Sequence, residues 1–221
     1  AEYVFAQVIL CLKQVWPQML AVKANRGYVH GAHCPHGSYR STVGLIGLGH
    51  VGRLVAQRLK TLEVTTMAFD PYVGQAEAAR LGVQLSSLDE VFAASNVVSC
   101  HVPELPETAG LLCGRHFRAM RAGAAFINTA RGSVVREGEL IEVLRERPDL
   151  LALLDVTEPE PPVPQSPLYE LPNVLLTPHL AGSVGAECRR LGQCIVEDVE
   201  RFARGERIEH EITRSAMAHT A

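Results

Sequence analysis

Thr42-Val43-Gly44-Leu45-Ile46-Gly47-Leu48-Gly49-His50-Val51-Gly52-Arg53-Leu54-Val55-Ala56 is the stretch that decides the fold. Val43–Ile46 is a short apolar run of the kind a buried strand shows, and from Val51 to Lys60 apolar residues recur at helical spacing. Three glycines, Gly47, Gly49 and Gly52, sit at the change of period. Outward from this unit the alternation repeats. Val64–Phe69, Val97–Cys100, Ala124–Ile127, Leu150–Leu154 and Val174–Leu176 read as further buried strands. Gln75–Leu81, Leu88–Ala94 and Glu137–Glu146 read as the helices between them, with Ser87 and Glu90 spaced as a capping box. Near-continuous apolar strands alternating with helices require a parallel sheet covered on both faces, an α/β doubly wound fold. A last helix is expected at Leu191–Ala203, and the tail after Gly205 reads as polar and loosely ordered.

The chain of 221 residues is 47% hydrophobic and 20% charged, with a formal net charge of -3. That apolar fraction supports a packed core and excludes a disordered chain. The weakly acidic balance leaves no basic stripe, so no nucleic-acid partner is expected. Val4–Leu20 is interrupted by Gln7, Lys13, Gln14, Pro17 and Gln18, too polar to span a membrane, and it lacks the marks of a signal peptide. The six cysteines (Cys11, Cys34, Cys100, Cys113, Cys188, Cys194) form no CxxC pair, which suits a cytoplasmic protein with reduced thiols.

Residues 1–24 carry Val4, Phe5, Val8, Ile9, Leu12, Val15 and Trp16 at helical spacing. Their apolar positions cover much of the circumference, so this helix is expected in a two-fold contact that makes a homodimer. Residues 25–41 read as loop. His30, His33, Cys34 and His36 are too crowded there to turn together on one ion, so a solvent-exposed crossover is expected and no metal.

Gly47-Leu48-Gly49-His50-Val51-Gly52 has the form GxGxxG between a strand and a helix, the context in which that pattern binds a dinucleotide. The first glycine permits the tight turn, the second lets backbone amides approach a pyrophosphate, and the third lets helix pack on strand. Asp70, at the end of the second strand, has the chemistry to accept hydrogen bonds from a ribose 2′-hydroxyl and to repel a 2′-phosphate, so NAD is expected over NADP. Ligands of such sheets lie beyond the carboxyl ends of the strands. There the sequence places His101, then Thr129, Ala130 and Arg131, then Asp155, then Pro178 and His179.

Those residues carry a resemblance. Gly47–Gly52 with Asp70, His101-Val102-Pro103 with Glu107-Thr108, Asn128–Gly132, Asp155–Pro161 and Thr177-Pro178-His179-Leu180-Ala181-Gly182 resemble the motifs of the D-isomer-specific 2-hydroxyacid dehydrogenases. The resemblance implies a Rossmann nucleotide domain and hydride transfer between NAD and a small 2-oxo or 2-hydroxy acid. It also implies Arg131 as carboxylate clamp, Glu160 as histidine partner and His179 as acid/base. On the cofactor side it implies Gly47, Gly49, His50, Val51, Gly52, Asp70, His101, Val102, Pro103, Thr108, Thr129, Ala130, Arg131, Asp155, His179 and Gly182. Thr157 stands where the family usually has an aromatic residue, and His50 where an arginine is common.

The resemblance divides the chain into a dinucleotide-binding domain, 1–182, and a remnant of a second, substrate domain, 183–221. Because Ala1 enters directly into a helical pattern, an upstream segment is expected to be missing. The chain is then expected to bind NADH but to turn over 2-oxo acids poorly. A nucleotide-binding regulatory protein of the corepressor kind and a cofactor domain without turnover are the rival readings.

Overall fold

A computed structural model describes residues 1–28 and 37–214. Its strands are β1 (Thr42–Ile46), β2 (Thr65–Phe69), β3 (Gln84–Leu85), β4 (Val97–Cys100), β5 (Ala125–Asn128), β6 (Leu151–Leu154) and β7 (Val174–Leu176). All pair in parallel, in the order β3-β2-β1-β4-β5-β6-β7. The order reverses between β1 and β4, so a crevice opens beyond their carboxyl ends. The helices are α1 (Glu2–Leu12), α2 (Val15–Asn25), α3 (His50–Leu59), α4 (Gln75–Leu81), α5 (Leu88–Ala94), α6 (Gly114–Ala119), α7 (Glu137–Glu146) and α8 (Ala186–Ala203).

The core has two halves, one on each face of the sheet. On one face Phe92 of α5, Phe117 of α6 and Phe126 of β5 meet edge-on or stacked, with Leu140 and Leu144 of α7. On the other, Val4, Val8, Cys11 and Leu12 of α1 pack with Val55 and Leu59 of α3 over Val43, Leu45, Val97 and Ile127. Burying each such side chain contributes about 1.5–3 kcal/mol, which sets the sheet as a rigid platform.

Several expectations need correction. The helix read over residues 1–24 is two helices, bent by 57° at Lys13–Gln14, where Gln14 adopts a left-handed conformation. Pro17 supplies the reason: it has no N–H to offer the carbonyl of Lys13, and its ring crowds that carbonyl. The inner face of α1 is filled by its own chain. The last helix begins at Ala186 rather than Leu191, since Glu187, Arg189 and Arg190 carry no apolar period. The tail is not loose as far as His210: the Asp198 carboxylate accepts the backbone N–H groups of Glu209 and His210 at 3.0 and 3.1 Å. The short elements β3 and α6 were unread, being too brief to show a period. His30, His33, Cys34 and His36 lie outside the described residues. Among the described residues no single helix is long and apolar enough to cross a membrane.

Candidate active site

β1 delivers the chain into its glycine turn. Gly47 has φ +92°, and a Cβ on it would stand 3.0 Å from the His101 backbone. A Cβ on Gly52 would meet the Gly47 carbonyl oxygen at 2.2 Å, so only glycine lets α3 start so close to β1. Gly49 is different: nothing lies within 4 Å of where its Cβ would be. Gly49 also caps α3 without a side-chain acceptor, so the N–H groups of the exposed His50 and Val51 open the helix with no side chain across them. Open space in front of a helix N-terminus is what a pyrophosphate requires.

One residue past β2, Asp70 is oriented from behind. Its Oδ2 accepts the Leu48 N–H at 2.7 Å and its Oδ1 the Tyr72 N–H at 2.8 Å. It lines a cleft of about 290 Å3 whose walls include Gly47, Gly49 and Tyr72 on one side and His101, Val102, Pro103 and Thr108 on the other. The Thr108 hydroxyl donates to Pro103 O at 2.6 Å and accepts the Leu105 N–H at 2.9 Å, so it shapes this wall from within. Burial pushes the His101 imidazole down to about 3, which keeps it neutral, and its Nε2 is closed off without a partner among the described residues.

The far end of the same edge is built on β5, β6 and β7. Asn128 organises the loop after β5: its Oδ1 accepts the Ala130 N–H and its Nδ2 donates to Arg131 O, both at 3.0 Å. Thr129 and Ala130 are half-buried there and Arg131 is exposed. Arg131 lies on the same carboxyl edge as His179, but its guanidinium is turned toward Glu104, with Nε 3.8 Å from the carboxylate. Glu160 and His179 are brought together, Oε1 to Nδ1, at 2.6 Å, and both are half-exposed. They line a second cleft of about 400 Å3 with Thr157, Pro161 and Tyr169. The Thr157 hydroxyl donates to Pro159 O at 2.9 Å. Gly182 is exposed, with open space at its Cβ position.

Asp155, one residue past β6, is 3% exposed. Its Oδ1 accepts the Leu180 N–H at 2.9 Å and the Thr177 hydroxyl at 2.5 Å, and its Oδ2 accepts the Ala181 N–H at 2.8 Å. Its own carbonyl accepts the His179 N–H at 3.0 Å. His179 has φ +50°, a left-handed conformation that costs a non-glycine residue of order 1–3 kcal/mol and persists where surrounding bonds enforce it. Tyr3 of α1 extends the network, its hydroxyl 3.1 Å from Thr177 Oγ1. Reading the sequence missed Tyr3 and Glu104 as contributors and gave Asn128 a place in a motif but no role. Tyr3, 174 positions from its partner, had no signal in the sequence.

The sequence and the fold are similar to those of known proteins. Residues 5–181 match the family described as D-isomer specific 2-hydroxyacid dehydrogenase, NAD binding domain. The D-3-phosphoglycerate dehydrogenase of Archaeoglobus fulgidus is 42% identical over 164 residues, covering 74% of this chain and 31% of that protein. This chain therefore spans about a third of the length of that curated relative. The D-isomer specific 2-hydroxyacid dehydrogenase of Xanthobacter autotrophicus Py2, solved with NADPH and MES, superposes with a TM-score of 0.79 at 30% identity, over 96% of this chain and 86% of that one. The NAD-complexed enzyme of Lactobacillus delbrueckii ssp. bulgaricus superposes with a TM-score of 0.82 at 25% identity, over 96% of this chain and 68% of that one.

Proposed function

The chain belongs to the D-isomer specific 2-hydroxyacid dehydrogenase family through its NAD binding domain, and on that premise we propose that it serves an NAD-dependent interconversion of a 2-oxo acid and a D-2-hydroxy acid. The observation that carries this reading is the Glu160–His179 pair at 2.6 Å, set on the same sheet edge as the glycine turn. The glycine turn, the amides opening α3 and the carboxylate of Asp70 would hold the dinucleotide; when bound, its nicotinamide supplies or takes the hydride.

The rest falls to side chains. A carboxylate at Nδ1 fixes the proton on that nitrogen and leaves Nε2 to give a proton to the carbonyl oxygen of a 2-oxo acid, or to take one back. Glu160 fixes the orientation of the imidazole through Nδ1, and Arg131 offers a planar fork for the substrate carboxylate once it leaves Glu104. Asp155 holds His179 in place, and its Oδ2 retains an acceptor position for an amide. Asp70 favours NAD over NADP.

We read residues 1–182 as the dinucleotide-binding domain and 183–221 as part of a substrate domain, a division supported by the exposed Leu191, Ile195, Val199 and Phe202 of α8. Assembly as a homodimer belongs to the same reading: α2 buries no residue in its own chain and exposes Met19 and Leu20, and a monomer by light scattering overturns it. The deciding experiment is a fluorescence titration with NADH and NADPH followed by reduction assays on glyoxylate and hydroxypyruvate. Preference for NADH with turnover supports the full reading. NADH binding without turnover supports the cofactor half alone, and equal affinity for the two coenzymes removes Asp70 from its role.

A further inference from the structure

Beside Arg131, which the reading above makes the carboxylate clamp, stands a carboxylate of the protein itself, and its place is built. The loop after β4 is closed from within by the Thr108 hydroxyl, which donates to Pro103 O at 2.6 Å. Two backbone bonds tie that loop to the one after β5, Gly110 N–H to Ser133 O at 2.8 Å and Leu112 N–H to Val134 O at 3.0 Å. Across this seam the Ser133 hydroxyl donates to Glu104 Oε1 at 2.8 Å. Glu104 Oε2 then stands 3.8 Å from Arg131 Nε, while Arg131 Nη1 donates to Ala130 O at 2.7 Å. Both side chains are about half-exposed, and so open an ion pair adds little to stability. It does set the charge that a ligand of Arg131 meets.

Carboxylates dominate the rest of the crevice. The cleft of about 290 Å3 has Asp70 and Glu107 in its walls, and the cleft of about 400 Å3 has Asp155 and Glu160. Among the described residues neither wall contains a lysine or an arginine. Arg136, the next arginine along the chain, is engaged by Gly110 O at 3.1 Å and by Glu139 Oε1 at 3.3 Å. Arg131 is therefore matched to one anionic group of a small molecule, and a second such group meets Glu104 instead of a cation.

We propose that Glu104 is a specificity-determining residue that selects 2-oxo and 2-hydroxy acids with a single negative charge, those whose far substituent is a hydroxyl or an alkyl group. The proposal rests on the reading of Arg131 as the carboxylate clamp. When the substrate carboxylate takes the arginine fork, the Ser133 hydroxyl still holds Glu104 beside it. A phosphate or second carboxylate further along so small a molecule then lies within about a Debye length, ~8 Å in physiological salt, of a like charge. A neutral substituent in the same place meets no such repulsion.

The test uses D-2-hydroxyvalerate and D-2-hydroxyglutarate, which share a five-carbon chain and differ at its far end by a methyl against a carboxylate. Each is titrated by calorimetry into the protein loaded with NADH, with which neither reacts, at low and at high sodium chloride. At low salt the unmodified protein should bind the valerate at least ~10-fold more tightly, an effect of the size that like charges near a protein surface produce. High salt should narrow that ratio. Glu104→Gln, at an exposed position that the core does not need, should bring the ratio within about 3-fold by tightening the glutarate, with NADH affinity unchanged. A ratio that Glu104→Gln leaves unaltered, both acids still binding, overturns the proposal and leaves the clamp standing. Binding of neither acid to a protein that holds NADH overturns the reading of Arg131, and this proposal with it.

Discussion

Asp70 stands one residue past β2 and Asp155 one residue past β6, and each collects N–H groups from the loop beside it. Asp70 is half-buried, takes two backbone bonds and still lines an open cleft. Asp155 is 3% exposed, and three donors crowd its two oxygens. The same residue type at equivalent places in the sheet thus does two jobs. The difference lies in how many lone pairs the protein's own donors leave unclaimed, and in whether water can reach the rest. Asp70 keeps acceptor capacity facing its cleft; Asp155 spends most of its own on the loop that carries His179.

The largest expected effect separates the two ends. His179→Gln should lower turnover, in a form that turns over, by about 10²–10⁴-fold while leaving NADH affinity unchanged. A loss of NADH binding of similar size would mean that the ends are not separable. Next comes stability. Asp155→Asn places an amide donor among three other donors and should cost about 2–3 kcal/mol in urea unfolding, against about 1 kcal/mol or less for Asp70→Asn. Equal costs would break the comparison.

A pH effect sharpens it at the Asp70 end. His101 is neutral when folded, with its pKa pushed down to about 3, and regains an ordinary value near 6.5 when unfolded. Between those values the unfolded chain binds the extra proton, so stability rises with pH there, by at most ~1.4 kcal/mol per unit. His101→Leu should flatten that slope by up to one proton; an unchanged slope in urea titrations across the window would show the histidine already solvated. The smallest effect is Asp70→Ala, expected to narrow the preference for NADH over NADPH by roughly tenfold, about 1.4 kcal/mol. An unaltered ratio would reassign discrimination to another group.

Much of this was readable from residue order, and for physical reasons. Strands buried on both faces leave uninterrupted apolar runs, as in Leu151–Leu154, and a glycine turn leaves its spacing. Glu160 and His179 were nameable as a pair through the family resemblance of the motifs that carry them. What escaped depends on contact rather than period. α6 spans six residues, fewer than two helical turns, and is held by Phe117 in the core. The break at Gln14 was announced by Pro17, but the apolar run on either side of it reads as continuous. The turning of Arg131 toward Glu104 joins two loops whose proximity only the sheet order reveals.

The hydroxyl bridge from Tyr3 to Thr177 has a consequence for the timing of assembly. It joins positions 174 apart, and a contact that distant is slow to form, since a long loop must close first. On the ribosome, the glycine turn and β2 emerge while the residues that shape His179 are still unsynthesised. The loop that carries His179 is tied to the first helix only once Thr177, just past β7, has been made.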